Sequence, residues 1–278
     1  MSKSWQSLQA EASIMKPVLV LVLTSNKTRY AKQRKEAIQY LRAHQPAAPK
    51  LSVLSVIAHA MQGPGAVYDG GSNVLSVNTK DDYAHLTAKT LLAFKWCVRH
   101  MSFQVLIKID EDTRFCPNAV PWPLLFTCSA RMPLWKRLWT RCPTARHVYA
   151  GQFRPANMPV LQYGKWRDPG YLQFFGRTYP EYAYGGGYIL SVDLVAAISG
   201  IARTIPVDDL RCEDATVGTL VDRVRRNGAS VQYVNLNAIT TSVDHVNVSH
   251  EIPCTRSDLV FQHKVWWTAE KAARQVAR

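Results

Sequence analysis

A short apolar run that ends in three acids constrains this chain more than any other segment. Residues 105–109 read Val-Leu-Ile-Lys-Ile, which is typical of a central sheet strand, and Asp110, Glu111 and Asp112 follow directly. Open α/β sheets bind ligands at the carboxyl ends of their strands. Three acids at such a place are costly unless a cation compensates them, and hard divalent ions take carboxylate oxygens. These residues alone leave a metal site and an acidic turn equally open.

The pattern around this run predicts an α/β fold with a mainly parallel central sheet flanked by helices. Strands alternate with helices, as in βαβ units. Strands are predicted at 18–23, 51–58, 74–77 and 231–236, and helices at 29–43, 82–99, 192–202, 214–226 and 268–278. The glycine-rich stretch 62–72 is expected to be a loop, and 121–176 to be a substrate-side region of loops and short elements. Residues 1–16 are expected to be a flexible lead-in.

The chain is basic, with a formal net charge of +14 over 278 residues. This charge favours an anionic partner, which could be a phosphate-bearing substrate, an anionic membrane surface or nucleic acid. The Lys and Arg residues are dispersed, so a solvated basic surface is the plainest interpretation and no nucleic-acid partner is expected. Peripheral contact with an anionic membrane stays open.

Residues 18–23 are the one strongly apolar run, and they are too short to span a bilayer and lack a cleavage site. No transmembrane anchor or signal peptide is visible, so the cytoplasm or the membrane periphery is favoured, and the Golgi lumen if an anchor was removed. The six cysteines form no CxxC pair, so a zinc cluster is not expected. Reduced core thiols are the expectation, and a few disulfides are the alternative.

Two further segments carry residues that suit chemistry. Glu213 and Asp214 stand at the predicted start of a helix, where they could cap that helix or offer a general base. Residues 179–188 combine three glycines with four tyrosines. Glycines let a backbone approach a ligand closely, and tyrosine rings suit a sugar. Each segment is weak support by itself.

Six segments match family patterns in order along the chain: 82–90, 108–115, 165–166, 179–188, 213–218 and 259–264. Together they resemble the β-1,3-glycosyltransferases of glycosyltransferase family 31, the galactosyltransferase and Fringe-like group. In the K-x-D-D-D-x-F pattern of that family, Glu111 replaces the middle Asp. Arg29 and Arg34 keep the spacing of a family arginine pair, although the T-W that should follow is replaced.

The resemblance implies a GT-A-type nucleotide-sugar-binding fold and an inverting, metal-dependent transferase. Such an enzyme would move a hexose or N-acetylhexosamine, galactose or GlcNAc foremost, from a UDP-sugar to a hydroxyl of a glycan or glycoconjugate. The linkage would be β-1,3, and the cofactor Mn²⁺ or Mg²⁺. Residues 17–278 would be one catalytic domain. Its parts would be a nucleotide-sugar half at about 17–120, an acceptor and catalytic half at about 121–265, and a basic helical tail at 266–278.

The resemblance also implies a role for individual residues. Asp112 would be the main metal ligand, supported by Asp110 and His263, with His245 and His250 as competing imidazoles. Asp214 would be the catalytic base. The donor would be held by Arg29, Arg34, Asp82, Lys89, Asp110, Glu111, Gly186 and Gly187. The acceptor would meet Trp166, Tyr182, Tyr184 and Glu213, with Tyr171, Phe174 and Phe175 as further candidates.

Two other functions stay open. A metal-dependent nucleotidyltransferase or phosphohydrolase built on the same acids would turn over nucleotides without a sugar acceptor. A non-enzymatic polyanion binder would retain DNA or RNA in a salt-dependent way and would not bind UDP. The separate glycine-tyrosine segment and the acidic helix start favour the transferase.

Overall fold

The computed structural model describes residues 18–27, 30–43, 51–60, 65–125, 146–164, 166–236, 238–240 and 260–263. The strands within these ranges are β1 Val18–Leu23, β2 Leu51–Ala58, β3 Ala66–Asp69, β4 Val74–Val77, β5 Val105–Asp110, β6 Thr113–Phe115, β7 Val148–Arg154, β8 Met158–Pro159, β9 Thr178–Tyr179, β10 Tyr182–Ser191, β11 Gln232–Asn235, β12 Ala238–Thr240 and β13 Phe261–His263. The helices are α1 Ala31–Ala43, α2 Leu86–His100, α3 Trp122–Leu125, α4 Pro169–Phe174, α5 Val192–Ile201 and α6 Glu213–Arg226.

Eight strands form one mixed sheet in the order β11-β7-β10-β5-β1-β2-β4-β3. Its centre is parallel, because β1 runs parallel to its neighbours β2 and β5, and β2 runs parallel to β4. Strand β10 runs antiparallel to both β5 and β7. A smaller sheet has the order β12-β13-β6, and β8 pairs with β9. The predicted α/β class, with a largely parallel sheet flanked by helices, is confirmed.

Strand β1 is buried on both sides, which explains its uninterrupted apolar sequence. Its leucines belong to the core that contains Phe94 of α2, and its valines to the opposite core, with Leu41 of α1. Successive side chains of a strand point to opposite faces, so this alternation fixes the register of β1. Leu23 at its end pairs with Asp110 at the end of β5. The central strands therefore deliver their carboxyl ends to one edge of the sheet.

Most predicted elements are confirmed, with small shifts at their ends. Asp82 accepts a hydrogen bond from the backbone N–H of His85 and caps a 3-10 turn at Tyr83–His85, so α2 begins only at Leu86. Helix α6 begins at Glu213, one residue before its predicted start. The predicted lead-in at 1–16 and the predicted tail helix at 268–278 lie outside the described residues.

One prediction of irregular structure is wrong, and a second did not foresee a strand of the main sheet. The expected loop at 62–72 contains β3, which forms a hairpin with β4. The expected irregular region at 121–176 contains β7, which lies within the main sheet. Glycine lowers strand propensity, so the glycines that flank β3 and the glycine within β7 weaken the pattern that would predict these strands. A methyl group built on Gly151 of β7 would lie 2.6 Å from Cβ of Ala183 in β10, so the close approach of these strands requires glycine there.

The cysteines within the described residues are of two kinds. Cys97 and Cys212 are buried free thiols, whereas Cys116 is disulfide-bonded. The expectation of reduced core thiols is therefore wrong for Cys116, because spacing in a sequence does not show which cysteines meet in space. No helix among the described residues has the length and apolar composition needed to cross a bilayer.

Candidate active site

Strand β5 brings a lysine and an acid to the edge where the central strands end. Lys108 and Asp110 are two residues apart, so they share one face of the strand. Nζ of Lys108 lies 2.8 Å from Oδ1 of Asp110, and the Lys108 side chain has no exposed area. The Asp110 side chain is 27% exposed. The buried ammonium of Lys108 therefore pairs with Asp110, whose side chain remains partly exposed.

Lys108 binds two further segments. Its Nζ lies 3.1 Å from Oε2 of Glu213 and donates to the carbonyl oxygen of Gly185 at 2.6 Å. Tyr188 donates its hydroxyl to Oε1 of Glu213 at 2.5 Å. Burial acts to lower the pKa of Lys108, but Asp110 and Glu213 outweigh it and hold that pKa above its ordinary value. The lysine is therefore charged.

Glu111 turns towards the end of β1 and not towards its acidic neighbours. Its Oε2 accepts a hydrogen bond from Oγ1 of Thr24 and another, of 3.1 Å, from the backbone N–H of Ser25. Burial raises the pKa of Glu111 to about 7, although these hydrogen bonds oppose the shift. The middle acid thus ties the ends of β1 and β5 together.

The segment that follows β1 is also held by Asp81 and Lys89. Oδ2 of Asp81 accepts from Oγ of Ser25 at 2.6 Å and from the backbone N–H of Asn26 at 2.9 Å. Nζ of Lys89 lies 3.5 Å from Oδ1 of Asp81 and donates to the carbonyl oxygen of Thr24 at 2.5 Å. Lys89 is 6% exposed. Lys89 therefore holds residues 24–26 from the buried side.

Asp214 lies at the start of α6, against the backbone of β10. A methyl group built on Gly185 would come within 3.0 Å of its Oδ2. Its Oδ1 accepts from the backbone N–H of Ala215 at 2.9 Å. Burial raises the pKa of Asp214, while the charge of Lys108 acts to lower it and that of Asp110 to raise it. A partly exposed carboxyl with a raised pKa suits a general base.

Tyr184 lies near acids from both segments, the end of β5 and the start of α6. Burial raises its pKa, Arg154 acts to lower it, and the charges of Asp214, Asp110 and Asp112 act to raise it. Coulomb interactions weaken with distance, so these three acids are near neighbours of the Tyr184 phenol. The guanidinium of Arg154 lies over the Tyr184 ring at 5.0 Å. Lys108 joins Asp110 at the end of β5 to Glu213 at the start of α6, so these two ends border one region of the surface, the pocket.

Trp166 and Tyr83 lie at the rim of this pocket. Burial raises the pKa of Tyr83, the charges of Asp214 and Asp110 raise it further, and the Trp166 side chain hydrogen-bonds to it. Trp166 is 51% exposed and Tyr83 40% exposed. The carbonyl oxygen of Trp166 accepts from Sγ of Cys212 at 3.3 Å, which fixes the tryptophan beside the start of α6.

Asp168 supports the start of α6, and sequence reasoning missed it. Its Oδ1 accepts from the backbone N–H of Tyr171 at 3.0 Å, and its Oδ2 from those of Arg211 and Cys212 at 3.0 and 2.8 Å. It is fully buried. The only signal in the sequence is the Asp-Pro-Gly order at 168–170, which is typical of a helix N-cap followed by proline.

The structure gives other predicted site residues a packing role. Glu213 is 4% exposed and lies beneath the pocket, with both carboxylate oxygens engaged. A methyl group built on Gly187 would lie 2.5 Å from the Phe261 ring, so this glycine admits an aromatic side chain. Tyr171 is 1% exposed and hydrogen-bonded to Thr219 at 2.6 Å, which makes it a core residue.

The remaining candidates are spread over the fold. Tyr182 is half-buried near Asp214, and burial raises its pKa to about 12. Gly186 is buried in β10, Arg34 lies on α1, and Asp82 is held by His85. Phe174 is exposed, and the guanidinium of Arg223 lies over the Phe175 ring at 4.6 Å. Arg29, His245 and His250 lie outside the described residues.

Two of the acids at the end of β5 are candidates for holding a cation that arrives together with a phosphate ligand. Asp110 and Asp112 are both partly exposed. The described residues contain no group of three His, Cys, Asp or Glu side chains suited to a metal ion. An ion bound through one or two carboxylates takes its other ligands from phosphates and water. The backbone of His263 pairs with that of Thr113, the residue after Asp112.

A profile of the family described as Galactosyltransferase matches residues 72–232. The chain belongs to this family. The match includes the end of β5, the glycine-tyrosine strand β10 and the start of α6, which are the segments that form the pocket. The resemblance to β-1,3-glycosyltransferases of family 31 is confirmed.

Relatives of known name are transferases of three sugars. Mouse UDP-GalNAc:beta-1,3-N-acetylgalactosaminyltransferase 2 is 27% identical over 158 residues, which are 57% of this chain and 27% of that protein. Mouse Beta-1,3-galactosyltransferase 6 is 31% identical over 125 residues, 45% of this chain and 34% of that protein. Human Acetylgalactosaminyl-O-glycosyl-glycoprotein beta-1,3-N-acetylglucosaminyltransferase is 27% identical over 194 residues, which are 69% of this chain and 45% of that protein. The chain thus spans less than half the length of each of these relatives.

A comparison of folds gives a looser likeness. The crystal structure of a glycosyltransferase involved in the glycosylation of the major capsid of PBCV-1 aligns with a TM-score of 0.43 at 11% identity. The alignment covers 94% of this chain and 100% of that chain.

Proposed function

We propose that this chain is an inverting glycosyltransferase of GT-A type. It would move galactose or an N-acetylhexosamine from a UDP-sugar to a hydroxyl of a glycan or glycoconjugate, in β-1,3 linkage. The observation that carries the proposal is that Lys108 joins Asp110 at the end of β5 to Glu213, which places the partly exposed carboxyl of Asp214 beside the acids that follow β5. The sugars named in the relatives support a hexose or N-acetylhexosamine donor.

The donor side of the pocket is the edge at which β1 and β5 end. Asp112 and Asp110 would hold Mn²⁺ or Mg²⁺, which when bound neutralises the charge of the leaving diphosphate. Residues 24–26, fixed by Glu111, Asp81 and Lys89, border this edge and form the wall that receives the nucleotide. In this arrangement Glu111 and Lys89 shape the donor site from behind.

The acceptor side is the start of α6 with the aromatic residues around it. Asp214 takes the proton from the acceptor hydroxyl, and the freed oxygen attacks the anomeric carbon from the face opposite the diphosphate. The bond between the anomeric carbon and the diphosphate oxygen breaks as the new bond forms, UDP leaves with the electron pair, and the configuration inverts. A raised pKa makes Asp214 a stronger base once it is ionised. Trp166, Tyr182 and Tyr184 offer rings against which the acceptor sugar packs.

The disulfide at Cys116 bears on where the reaction takes place. Structural disulfides form and persist in oxidising compartments and are rare in the cytosol. We therefore assign the domain to the lumen of the secretory pathway, where glycan acceptors are also found, in place of the cytoplasm that the sequence favours. Mass mapping of the native protein under non-reducing conditions, with Cys97 as the free-thiol control, checks this assignment; an unmodified Cys116 thiol contradicts it.

A screen of sugar nucleotides by thermal unfolding tests the proposed function. Uridine diphosphate sugars with Mn²⁺ should raise the Tm, because a ligand that binds only the folded state stabilises it. GDP-sugars with Mn²⁺, and UDP-sugars with chelator, are the matched controls. Acceptor-dependent release of UDP from the stabilising donor should follow. Nucleotide turnover that needs no acceptor would indicate the phosphohydrolase, and unchanged Tm with every UDP-sugar contradicts the proposal.

A further inference from the structure

The ammonium group of Lys108 is the point at which three segments of the pocket meet. Its Nζ contacts Asp110 at the end of β5, the carbonyl oxygen of Gly185 in β10, and Glu213 at the start of α6. An ammonium has three N–H donors, and here each has an acceptor within 3.1 Å. The cation is therefore fully satisfied in a place from which water is excluded.

These contacts extend to both sides of the proposed reaction. Asp110 belongs to the donor side, and Glu213 immediately precedes the base Asp214. Gly185 gives its carbonyl oxygen to Lys108, while its α-carbon forms the surface against which the Asp214 carboxylate rests. Any displacement of the Lys108 ammonium would therefore shift both Gly185 and the start of α6 relative to the end of β5.

Stability alone is a poor reason for such an arrangement. Replacing a buried ion pair by apolar residues of similar volume is often neutral or stabilising, whereas removing one partner leaves an uncompensated charge. Lys108 stands in an otherwise apolar strand run, and its neighbours Ile107 and Ile109 have no exposed area. A methionine would fill the same volume if filling were all that the site required.

We propose that Lys108 is a positioning residue, whose ammonium ties Asp110 to Glu213 and thereby fixes the distance between the donor site and Asp214. The proposal rests on the proposed function and identifies the group that aligns its two halves. It requires no contact between Lys108 and a substrate. The tie is the pair of contacts that Lys108 makes with Asp110 and Glu213. Its presence should control kcat, since a small misplacement of a reacting group costs much of the rate.

The test separates geometry from charge compensation. Lys108→Met removes the cation and leaves Glu213 as an unpaired buried charge, so both Tm and kcat should fall. The double variant Lys108→Met/Glu213→Gln removes that charge as well, so its Tm should recover. We expect its kcat, per folded molecule, to stay at least about tenfold below that of the wild type, because the tie is still absent. Recovery of kcat to within about twofold, together with Tm, would show that Lys108 only offsets charge and would overturn the proposal.

Two further variants keep the result decisive. Ser191→Ala removes a buried hydrogen bond from the backbone N–H of Val148, at the end of β10 that pairs with the start of β5, so it should lower Tm and leave kcat unchanged. If the double variant does not fold, Glu213→Leu, which removes the acceptor that links Lys108 to α6, takes its place under the same kcat criterion. Wild-type protein that transfers no sugar would contradict the proposed function, whereas a fully active double variant would contradict the role of Lys108 only.

Discussion

The carboxylate of Asp214 rests on the α-carbon of Gly185, where a methyl group would come within 3.0 Å of Oδ2 and 3.3 Å of the carboxyl carbon. Helix α6 and strand β10 are therefore in contact at the one place where the proposed base is exposed to the pocket. Both partners are held in place, since Oδ1 of Asp214 accepts from the backbone N–H of Ala215 and the carbonyl oxygen of Gly185 accepts from Nζ of Lys108. This contact fixes the orientation of the Asp214 carboxylate.

Gly185→Ala should displace the Asp214 carboxylate and lower kcat by about tenfold or more, because a misplaced base loses much of its effect. The donor KM should change little, since the donor site lies at the end of β5. Steady-state transfer kinetics measure both quantities. Gly200→Ala in α5 is the matched control, because a methyl group there meets no atom within 4 Å. Wild-type kcat in the Gly185 variant would show that the contact is not required.

Glu111 should make stability depend on pH. Burial raises its folded pKa from 4.5 to about 7, so the folded state takes up a proton more readily than the unfolded state. The free energy of unfolding should then fall as pH rises from about 4.5 to about 7. Glu111→Gln removes this dependence and keeps an oxygen that can accept from Ser25. The Tm of the variant minus that of the wild type should increase with pH across this window.

Thermal unfolding in chelator measures this difference. Glu181→Gln, at an exposed carboxyl, is the control and should show a constant difference from the wild type. A difference for Glu111→Gln that does not change between pH 4.5 and pH 7 would contradict the buried position of this acid.

Asp168→Ala should destabilise the fold and disturb the start of α6. The change leaves the backbone N–H groups of Tyr171, Arg211 and Cys212 without their acceptor, at a cost of about 3 kcal/mol. Urea denaturation measures this cost. Asp69→Ala is the control, because Asp69 accepts from Gly71 in an exposed turn and should contribute less than about 0.5 kcal/mol. Equal effects of the two changes would contradict the role of Asp168.

Local sequence patterns were sufficient to predict β1 and β5, the strands that form the donor side of the pocket. The apolar alternation of β1 and the apolar run of β5 predict buried strands, and the acids that follow β5 predict a site at its end. Strand β10 is not predictable in this way, because its three glycines lower strand propensity. The reason for those glycines lies in distant neighbours, as in Gly187 against Phe261.

The orientation of individual site residues could not be predicted either. A run of three acids does not show that Glu111 turns to Thr24 while Asp110 faces Lys108. The pairing of Lys108 with Glu213 joins residues far apart in the sequence, and no spacing rule connects them. Contacts of this kind depend on the packing of α6 against β10, which exists only in the folded chain.

The role of Asp214 is the central claim, and transfer by Asp214→Asn tests it most directly. Asp193→Asn is the matched control, since Asp193 also stands in the first turn of a helix and accepts from the next backbone N–H at 2.9 Å. With donor and Mn²⁺, Asp214→Asn should lose at least about 10²-fold in kcat, as expected for a general base. Its affinity for UDP, measured by calorimetry, should stay within about twofold of the wild type. Undiminished transfer by Asp214→Asn would contradict the account.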